Sequence, residues 1–264
     1  MDKSPRISIG LPVYNGERYL ATAIESVLNQ TFQDFELIIS SNASTDFTDE
    51  ICRSYAAKDA RIQFERLNEN VGAAANFNRV FHRSRGEYFK WAAHDDICMP
   101  SFFQRCMETL DAAPENVVLC MPKVTRIDQN GVEVTGYDDG LELRQRTATS
   151  RMIELARRVL ACGCHSVFGV VRTAVMRRTR LIAPFVASDA VLLGDLAAEG
   201  ELWEIPEPLF HSRTHDECSH RKFKTLEEYA AWYAPVAKQS QVKFLRTKLA
   251  SEIVRGIWRS SMPS

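Results

Sequence analysis

The sequence lacks the features that mark membrane-spanning, nucleic-acid-binding or zinc-knuckle proteins. No apolar run approaches the ~20 residues that a transmembrane helix needs. The 33 basic and 34 acidic side chains leave a formal charge of −1, which argues against affinity that rests on neutralising nucleic-acid phosphates. Internal repeats and low-complexity segments are also missing. A chain of 264 residues with 45% hydrophobic residues has enough apolar surface for a large folded core.

Cysteines are few, odd in number and scattered. None of the seven belongs to a Cys-x-x-Cys knuckle, so a structural zinc site is not expected. Unpaired thiols are typical of a reducing compartment, and the start of the chain shows no signal-peptide pattern. We therefore expect a cytoplasmic protein. The segment 162–165, Cys-Gly-Cys-His, could suggest a cysteine nucleophile, but no partner supports it, and we favour a loop on the acceptor side.

Strand and helix patterns alternate through the first half of the chain. This alternation predicts a mainly parallel sheet with helices on both faces. The predicted strands span 7–14, 35–40, 62–66, 87–93 and 117–121, and the predicted helices span 19–29, 48–57, 74–84 and 102–112. Farther along we predict a hairpin near 128–131, a polar loop at 137–150, strands at 166–171 and 202–209, helices at 151–161, 173–180 and 188–199, and a helical tail from 226.

Polar residues gather where three of these strands end, in segments 12–15, 40–46 and 94–96. Ligands of such sheets bind beyond the carboxyl ends of the strands. The last segment contains the adjacent acids Asp95 and Asp96, whose charges repel unless a cation or hydrogen-bond donors compensate. A divalent cation that bridges a diphosphate would do so, since Mg²⁺ and Mn²⁺ favour carboxylate oxygens. Taken alone, two adjacent aspartates are more often a solvated turn or a helix N-cap.

Six motifs, in order, resemble inverting GT-A glycosyltransferases of the large family that includes polysaccharide and lipopolysaccharide sugar transferases. The first is Ile-Gly-Leu-Pro-Val-Tyr-Asn-Gly at 9–16, and the others lie at 26–32, 36–46, 70–76, 85–88 and 94–96. The resemblance covers residues 6–131 strongly and 160–220 more weakly. It implies a GT-A α/β domain at 1–222, with a nucleotide-binding half at 1–131 and an acceptor and catalytic half at 132–222, followed by a helical tail at 223–264.

The resemblance also implies roles for single residues. The donor nucleotide would contact residues at the strand ends and in the following loops: Pro12, Val13, Tyr14, Asn15, Ser41, Asn42, Asn70, Gly72, Asn76, Lys90, Asp95 and Arg213. Asp96 would bind the metal, Mn²⁺ or Mg²⁺, with His215 as a further ligand and His211 as the alternative. Val13 could equally be plain core, and Lys90 could lie on an edge-strand surface.

Two positions depart from the family pattern. Ser41 and Asn42 stand where relatives carry an acid that reads the nucleobase, so the base stays open, although a UDP-sugar is the donor we expect. Ala75 replaces an arginine found beside the equivalent of Asn76. Asp46 could touch the ribose or only cap the next helix.

Inverting transfer needs a carboxylate that accepts the proton of the acceptor hydroxyl. By resemblance we place it at Asp189, with Asp195 as the alternative. An acid at the start of a helix could instead serve only to interact favourably with the helix dipole.

The resemblance therefore implies an inverting sugar transferase acting on a saccharide or lipid-linked saccharide acceptor. A nucleotide-sugar sensor on the same fold is the alternative; a nucleotidyltransferase would need a Gly-rich phosphate loop that residues 15–17 do not provide. The basic, Trp-containing tail could also contact the inner face of a membrane peripherally.

Overall fold

A computed structural model describes residues 4–134, 140–158 and 164–234. The strands are β1 Ile7–Val13, β2 Phe35–Ser41, β3 Ile62–Arg66, β4 Tyr88–Trp91, β5 Ile97–Cys98, β6 Val117–Ile127, β7 Glu133–Val134, β8 Val170–Arg172 and β9 Glu201–Arg213. The helices are α1 Leu20–Leu28, α2 Thr48–Ala56, α3 Ala73–His82, α4 Phe102–Ala112, α5 Ala148–Arg158, α6 Thr173–Met176, α7 Ser188–Glu199, α8 Ser219–Lys222 and α9 Leu226–Tyr233, with a 3-10 turn at His165–Phe168.

One sheet joins the two halves of the chain, in the order β3-β2-β1-β4-β8-β6-β9-β5, with β7 paired to β6. Strands β3, β2, β1 and β4 are mutually parallel, and so are β6 and β9. Strand β8 runs antiparallel to both β4 and β6, and β5 runs antiparallel to β9. The predicted fold class, an α/β fold with a mainly parallel sheet, is confirmed.

The central strands are buried on both faces, as parallel strands covered by helices must be. Every residue of β1, β2 and β4 is buried. Aromatic side chains fill the space around β4, where the rings of Phe89 and Trp91 meet edge to face at 5.1 Å. This rigid frame holds the loops that follow the carboxyl ends of β1, β2 and β4.

Several element boundaries differ from the sequence prediction. The strand expected at 166–171 begins as a 3-10 turn, and Gly169 lets β8 start close to β6, since a Cβ there would lie 2.7 Å from the Cys120 carbonyl oxygen. Strands β6 and β9 are longer than predicted because they pair with each other along most of their length. The short strand β5 was not predicted.

Some predictions fall outside the described residues. These are Cys162 and Gly163, residues 137–139 of the predicted polar loop, residues 159–161 of the predicted helix at 151–161, and the tail beyond Ala234. The domain boundary at 222 stays a prediction. Among the helices of the described ranges, none has both the length and the apolar character that crossing a bilayer requires.

Candidate functional site

The loops after β1 and β2 are hydrogen-bonded to each other. The Asn42 amide donates to the Val13 carbonyl oxygen at 2.8 Å, which continues the pairing of the two strands. Asn15 then accepts the Thr45 amide on its side-chain oxygen at 2.9 Å, and its own amide donates to Ser44 Oγ at 3.1 Å. The structure thus brings Asn15 and the β2 loop together, as strand-end convergence predicts.

The third predicted segment, around the acid pair, lies against the first. A Cβ on Gly16 would lie 2.7 Å from the His94 ring and 2.7 Å from the Val13 side chain. Glycine at this position therefore allows the loop after β1 to contact the residue that precedes Asp95. The three strand ends form one continuous rim.

Two asparagines of the predicted donor site, Asn42 and Asn70, are hydrogen-bonded to each other. Asn42 Nδ2 donates to Asn70 Oδ1 at 2.9 Å and to the Gly72 carbonyl at 3.3 Å, while its Oδ1 accepts the Val71 amide at 2.9 Å. Gly72 has φ 87°, a left-handed conformation that favours glycine, immediately before α3. Asn42 thus fixes the loop that leads into α3.

Two further polar residues predicted at the donor site lie inside the protein. Asn76 Oδ1 accepts the Ser40 hydroxyl at 2.6 Å, and Asn76 Nδ2 donates to the Ser40 carbonyl at 3.0 Å. Ser41 is fully buried, and its hydroxyl donates to Ser44 Oγ at 3.0 Å. These groups hold β2, α3 and the following loop together beneath the rim.

Accessibility separates the residues predicted to line the nucleobase pocket. Pro12 and Val13 are buried within β1, so their side chains belong to the core. Tyr14 is 41% exposed. Tyr14 is therefore the residue of this group whose ring is open to a base.

Strand β9 supplies partners for both acids of the pair. The Arg213 amide donates to Asp96 Oδ1 at 2.8 Å. His215 Nε2 lies 2.9 Å from Asp95 Oδ2. The structure therefore brings Arg213 and His215, more than a hundred residues away in sequence, to the metal motif.

The surroundings shift the pKa values of the two carboxyl groups in opposite directions. Burial, and next the charge of Asp95, raise the pKa of Asp96 to about 7. Burial acts the same way on Asp95, but His94 and His215 together outweigh it and hold the pKa of Asp95 below its ordinary value. The pair therefore carries less than two full negative charges near neutral pH, as expected of adjacent acids whose repulsion no bound cation compensates.

The Arg213 guanidinium is engaged by the protein. Its Nε donates to the Asp95 carbonyl at 2.9 Å, its Nη1 donates to the Asp128 carbonyl at 3.2 Å, and the group lies 4.6 Å from the Tyr19 ring centroid. Arg213 is only 7% exposed. These two hydrogen bonds use two of the five N–H donors of the guanidinium, so the predicted contact with the diphosphate does not require either bond to open.

Two residues of this cluster were missed by sequence reasoning. The Tyr19 ring packs 4.8 Å from the His215 ring, and its hydroxyl donates to the Gln129 carbonyl at 3.3 Å. Cys218 Sγ lies within 4.8 Å of ligand atoms of Asp95 and His215. The spacing His215-x-x-Cys218 was a usable signal, whereas Tyr19 carries none in the sequence.

The residues around the acid pair fit a divalent cation. Carboxylate oxygens and an imidazole nitrogen are ligands that Mn²⁺ accepts. Within the described part of the chain, His215 Nδ1 is buried without a hydrogen-bond partner. His211, the alternative ligand, is half-buried on β9, where burial lowers its pKa.

Lys90 lies in the interior, not on an edge-strand surface. It is fully buried, its Nζ donates to the Trp91 carbonyl at 2.8 Å, and it sits over the rings of Phe102 and Phe210. Its positive charge acts on Asp96. Lys90 is placed to balance the acid pair from within.

The candidate base lies at the start of α7. Burial raises the pKa of Asp189, against the opposing hydrogen bond from the Ala190 amide at 2.9 Å. The charge of His165 acts on both Asp189 and Asp96, and His165 Nε2 lies 3.0 Å from Ser212 Oγ. When protonated, this one histidine therefore lowers the pKa of both the candidate base and Asp96.

Asp195, the alternative candidate for the base, is held in an ion pair. Asp195 accepts two hydrogen bonds from the Arg180 guanidinium, at 2.9 and 2.6 Å, and a third from the Arg180 amide at 3.1 Å. This ion pair ties α7 to the loop after α6. The geometry favours Asp189 over Asp195.

The C-terminal segment borders Asp189. After burial, which is the larger cause, the charge of Asp189 raises the pKa of Tyr229 and of Tyr233 on α9. Rings of this segment also contact one another, with Tyr229 and Trp232 stacked at 5.6 Å. The described start of the predicted tail therefore packs on the core beside the candidate base.

Comparison with known proteins identifies the family of the chain. Residues 8–179 match the model of glycosyl transferase family 2. An uncharacterised glycosyltransferase of Rickettsia typhi is 35% identical over 126 residues, 48% of this chain and 38% of that protein. The chain spans less than half the length of the curated relatives it matches.

Two solved structures share the fold. TarS of S. aureus, residues 1–349 in complex with UDP-GlcNAc, superposes with a TM-score of 0.67 at 16% identity, covering 94% of this chain and 72% of that one. The mannosyltransferase PcManGT of Pyrobaculum calidifontis, in complex with GDP-Man and Mn²⁺, gives 0.59 at 15%, covering 98% and 74%. From the family match over most of its length and this shared GT-A fold, the chain belongs to glycosyl transferase family 2.

Proposed function

We propose that the protein is an inverting glycosyltransferase that moves a sugar from a nucleoside-diphosphate sugar to an acceptor hydroxyl. The observation that carries the proposal is the convergence of the acid pair, His215 and the β1 and β2 loops at one rim of the sheet. Family membership supports it, and so do the nucleotide-sugar complexes of the structural neighbours. The acceptor we expect is a saccharide or a lipid-linked saccharide.

The donor would lie along the rim, with its base near Tyr14 and its diphosphate near the acid pair. Asp96 and His215 would hold Mn²⁺ or Mg²⁺, which when bound neutralises the charge of the departing diphosphate. Asp95 faces the same space and would orient the ribose or the sugar. Ser41 and Asn42 are buried and hydrogen-bonded within the protein, so base recognition here would rest on backbone groups at the rim and on the Tyr14 ring.

Asp189 would accept the proton of the acceptor hydroxyl as that oxygen attacks the anomeric carbon. Its burial favours this role, because a raised pKa makes the carboxylate a better proton acceptor near neutral pH. The rings of Tyr229 and Trp232 next to it would form part of the acceptor side. His165 would stabilise the two negative groups between which the sugar passes.

Release of nucleoside diphosphate from a panel of donor sugars tests the proposal. With Mn²⁺ and no acceptor, we expect slow hydrolysis of the cognate donor, which stops in the Asp96→Asn variant. The anomeric configuration of the transferred sugar, read by NMR, should be opposite to that of the donor. Tight donor binding without any release, with or without acceptor, would indicate a sensor and overturn the enzymatic proposal.

A further inference from the structure

The cation site contains a sulfur atom whose role the proposed function does not use. Cys218 Sγ, an Asp95 carboxylate oxygen and a ring nitrogen of His215 all lie within 4.8 Å of one another. Cys218 is 8% exposed and His215 is 4% exposed. A buried thiol at this distance from two potential ligands adds a soft donor to a site otherwise suited to hard cations.

A second observation points to a ligand at this position. His215 Nε2 faces Asp95 Oδ2 at 2.9 Å, but in the part of the chain that the structure describes its Nδ1 has no partner although it is buried. Buried polar atoms normally have a hydrogen-bond partner, so a fixed imidazole with one unpartnered ring nitrogen is suited to binding a ligand. A cation could coordinate either ring nitrogen of His215, and the other nitrogen would then be available for a hydrogen bond.

The turn from His215 to Cys218 holds the sulfur in place. The His215 amide donates to Cys218 Sγ at 3.3 Å, and the Cys218 amide donates to the His215 carbonyl at 3.2 Å. The thiol in turn donates to the Arg213 carbonyl at 3.3 Å. On coordination the thiol proton would leave to solvent and this last bond would break, while the His215 amide would still donate to the thiolate sulfur.

From this geometry we propose that Cys218 joins Asp95 and His215 as the ligands of a thiophilic divalent cation such as Zn²⁺ or Co²⁺. The inference rests on the proposed function, but it takes Asp95 in place of Asp96 as the carboxylate ligand and adds a preference among metals. Tetrahedral zinc places its ligand atoms roughly 3.3–3.8 Å apart. The three ligand atoms here lie within 4.8 Å of one another, so the most widely separated pair would move closer by about an ångström on binding. Three protein ligands leave the fourth position open, as in catalytic zinc sites.

Cobalt absorption tests the proposal on the full chain. Co²⁺ added to metal-free protein should give the near-ultraviolet charge-transfer band of a thiolate ligand, saturating at one equivalent and removed by one equivalent of Zn²⁺. The band should disappear in Cys218→Ser. It should persist in Cys164→Ser, the matched control, which removes a half-exposed thiol elsewhere.

Zinc X-ray absorption on the wild-type chain gives a second reading that needs no variant to fold. A sulfur scatterer at about 2.3 Å supports the proposal, and a shell of nitrogen and oxygen alone overturns it. A cobalt band that survives Cys218→Ser also overturns it. If Mn²⁺ assists donor binding but Co²⁺ gives no thiolate band, the sulfur ligand is wrong while the proposed function stands. If a thiolate band forms but no donor binds with any metal, the proposed function fails on its own.

Discussion

Asp189→Asn removes the proposed proton acceptor with little change of shape. The asparagine side-chain oxygen can still accept the Ala190 amide, which Asp189 accepts at 2.9 Å, so α7 should keep its first turn. General-base catalysis contributes about 10²- to 10⁴-fold in rate. We therefore expect kcat to fall by that factor, equivalent to roughly 3–5 kcal/mol of activation free energy, while the donor KM changes little.

The same substitution should not destabilise the protein. Burial raises the pKa of Asp189 above its unfolded value, so the folded state binds the proton more tightly than the unfolded state. The free energy of unfolding therefore falls as pH rises from the ordinary aspartate pKa through the folded pKa. Asparagine removes this loss, so at neutral pH the variant should be as stable as the wild type or more stable.

The assay is steady-state transfer with saturating donor and acceptor, run across pH. The acidic limb of the wild-type kcat profile should lie above the pKa of an ordinary aspartate, because that limb reports ionisation of the base. Glu199→Gln, at the far end of the same helix, is the matched control and should retain full activity. Near-full turnover by Asp189→Asn, or an equal loss in the control, would refute the assignment.

Three further outcomes follow from the same contacts. Asp195→Asn should lower the free energy of unfolding by about 1–2 kcal/mol in urea titration, because it weakens the ion pair with Arg180, and should leave kcat nearly unchanged in the folded protein. Asn42→Asp should cost about 1–3 kcal/mol by the same measurement, since a carboxylate would face the acceptors Asn70 Oδ1 and the Gly72 carbonyl; an unchanged midpoint would contradict that network. In EDTA the wild type should lose stability between about pH 4 and 7 as Asp96, whose pKa is raised to about 7, ionises, and in thermal melts this slope should be shallower in Asp96→Asn, which retains the contribution of Asp189.

The sequence pattern predicts the frame of the site better than its contacts. Alternating strands and helices place the ends of β1, β2 and β4 at one rim because parallel strands end on the same side, and the structure brings these segments together. Strand β9 reaches the acid pair because its residues Phe210 and His211 pair with β5, which directly follows Asp96; this is a long-range contact with no local signal. The resemblance names Arg213 and His215, but it does not reveal which atoms they use.

Side-chain orientation is the part that sequence leaves open. Lys90 is the one charged residue in an apolar strand, which leaves its direction open, and in the structure it is fully buried with its ammonium over the rings of Phe102 and Phe210. Asn42 looks like a base-reading residue, but its amide is satisfied by the loop before α3. Tyr19 gains its place from tertiary packing against His215. Such partners are set by the folded chain and have no periodicity from which to infer them.

The central claim is that the acid pair binds a nucleoside diphosphate through a divalent cation. Isothermal titration of UDP and GDP into the protein, in EDTA and in Mn²⁺, tests it most directly. We predict that Mn²⁺ tightens the binding of one nucleotide by at least about tenfold, roughly 1.4 kcal/mol, and that Asp96→Asn removes this gain. Equal affinities with and without Mn²⁺ for both nucleotides would contradict the account.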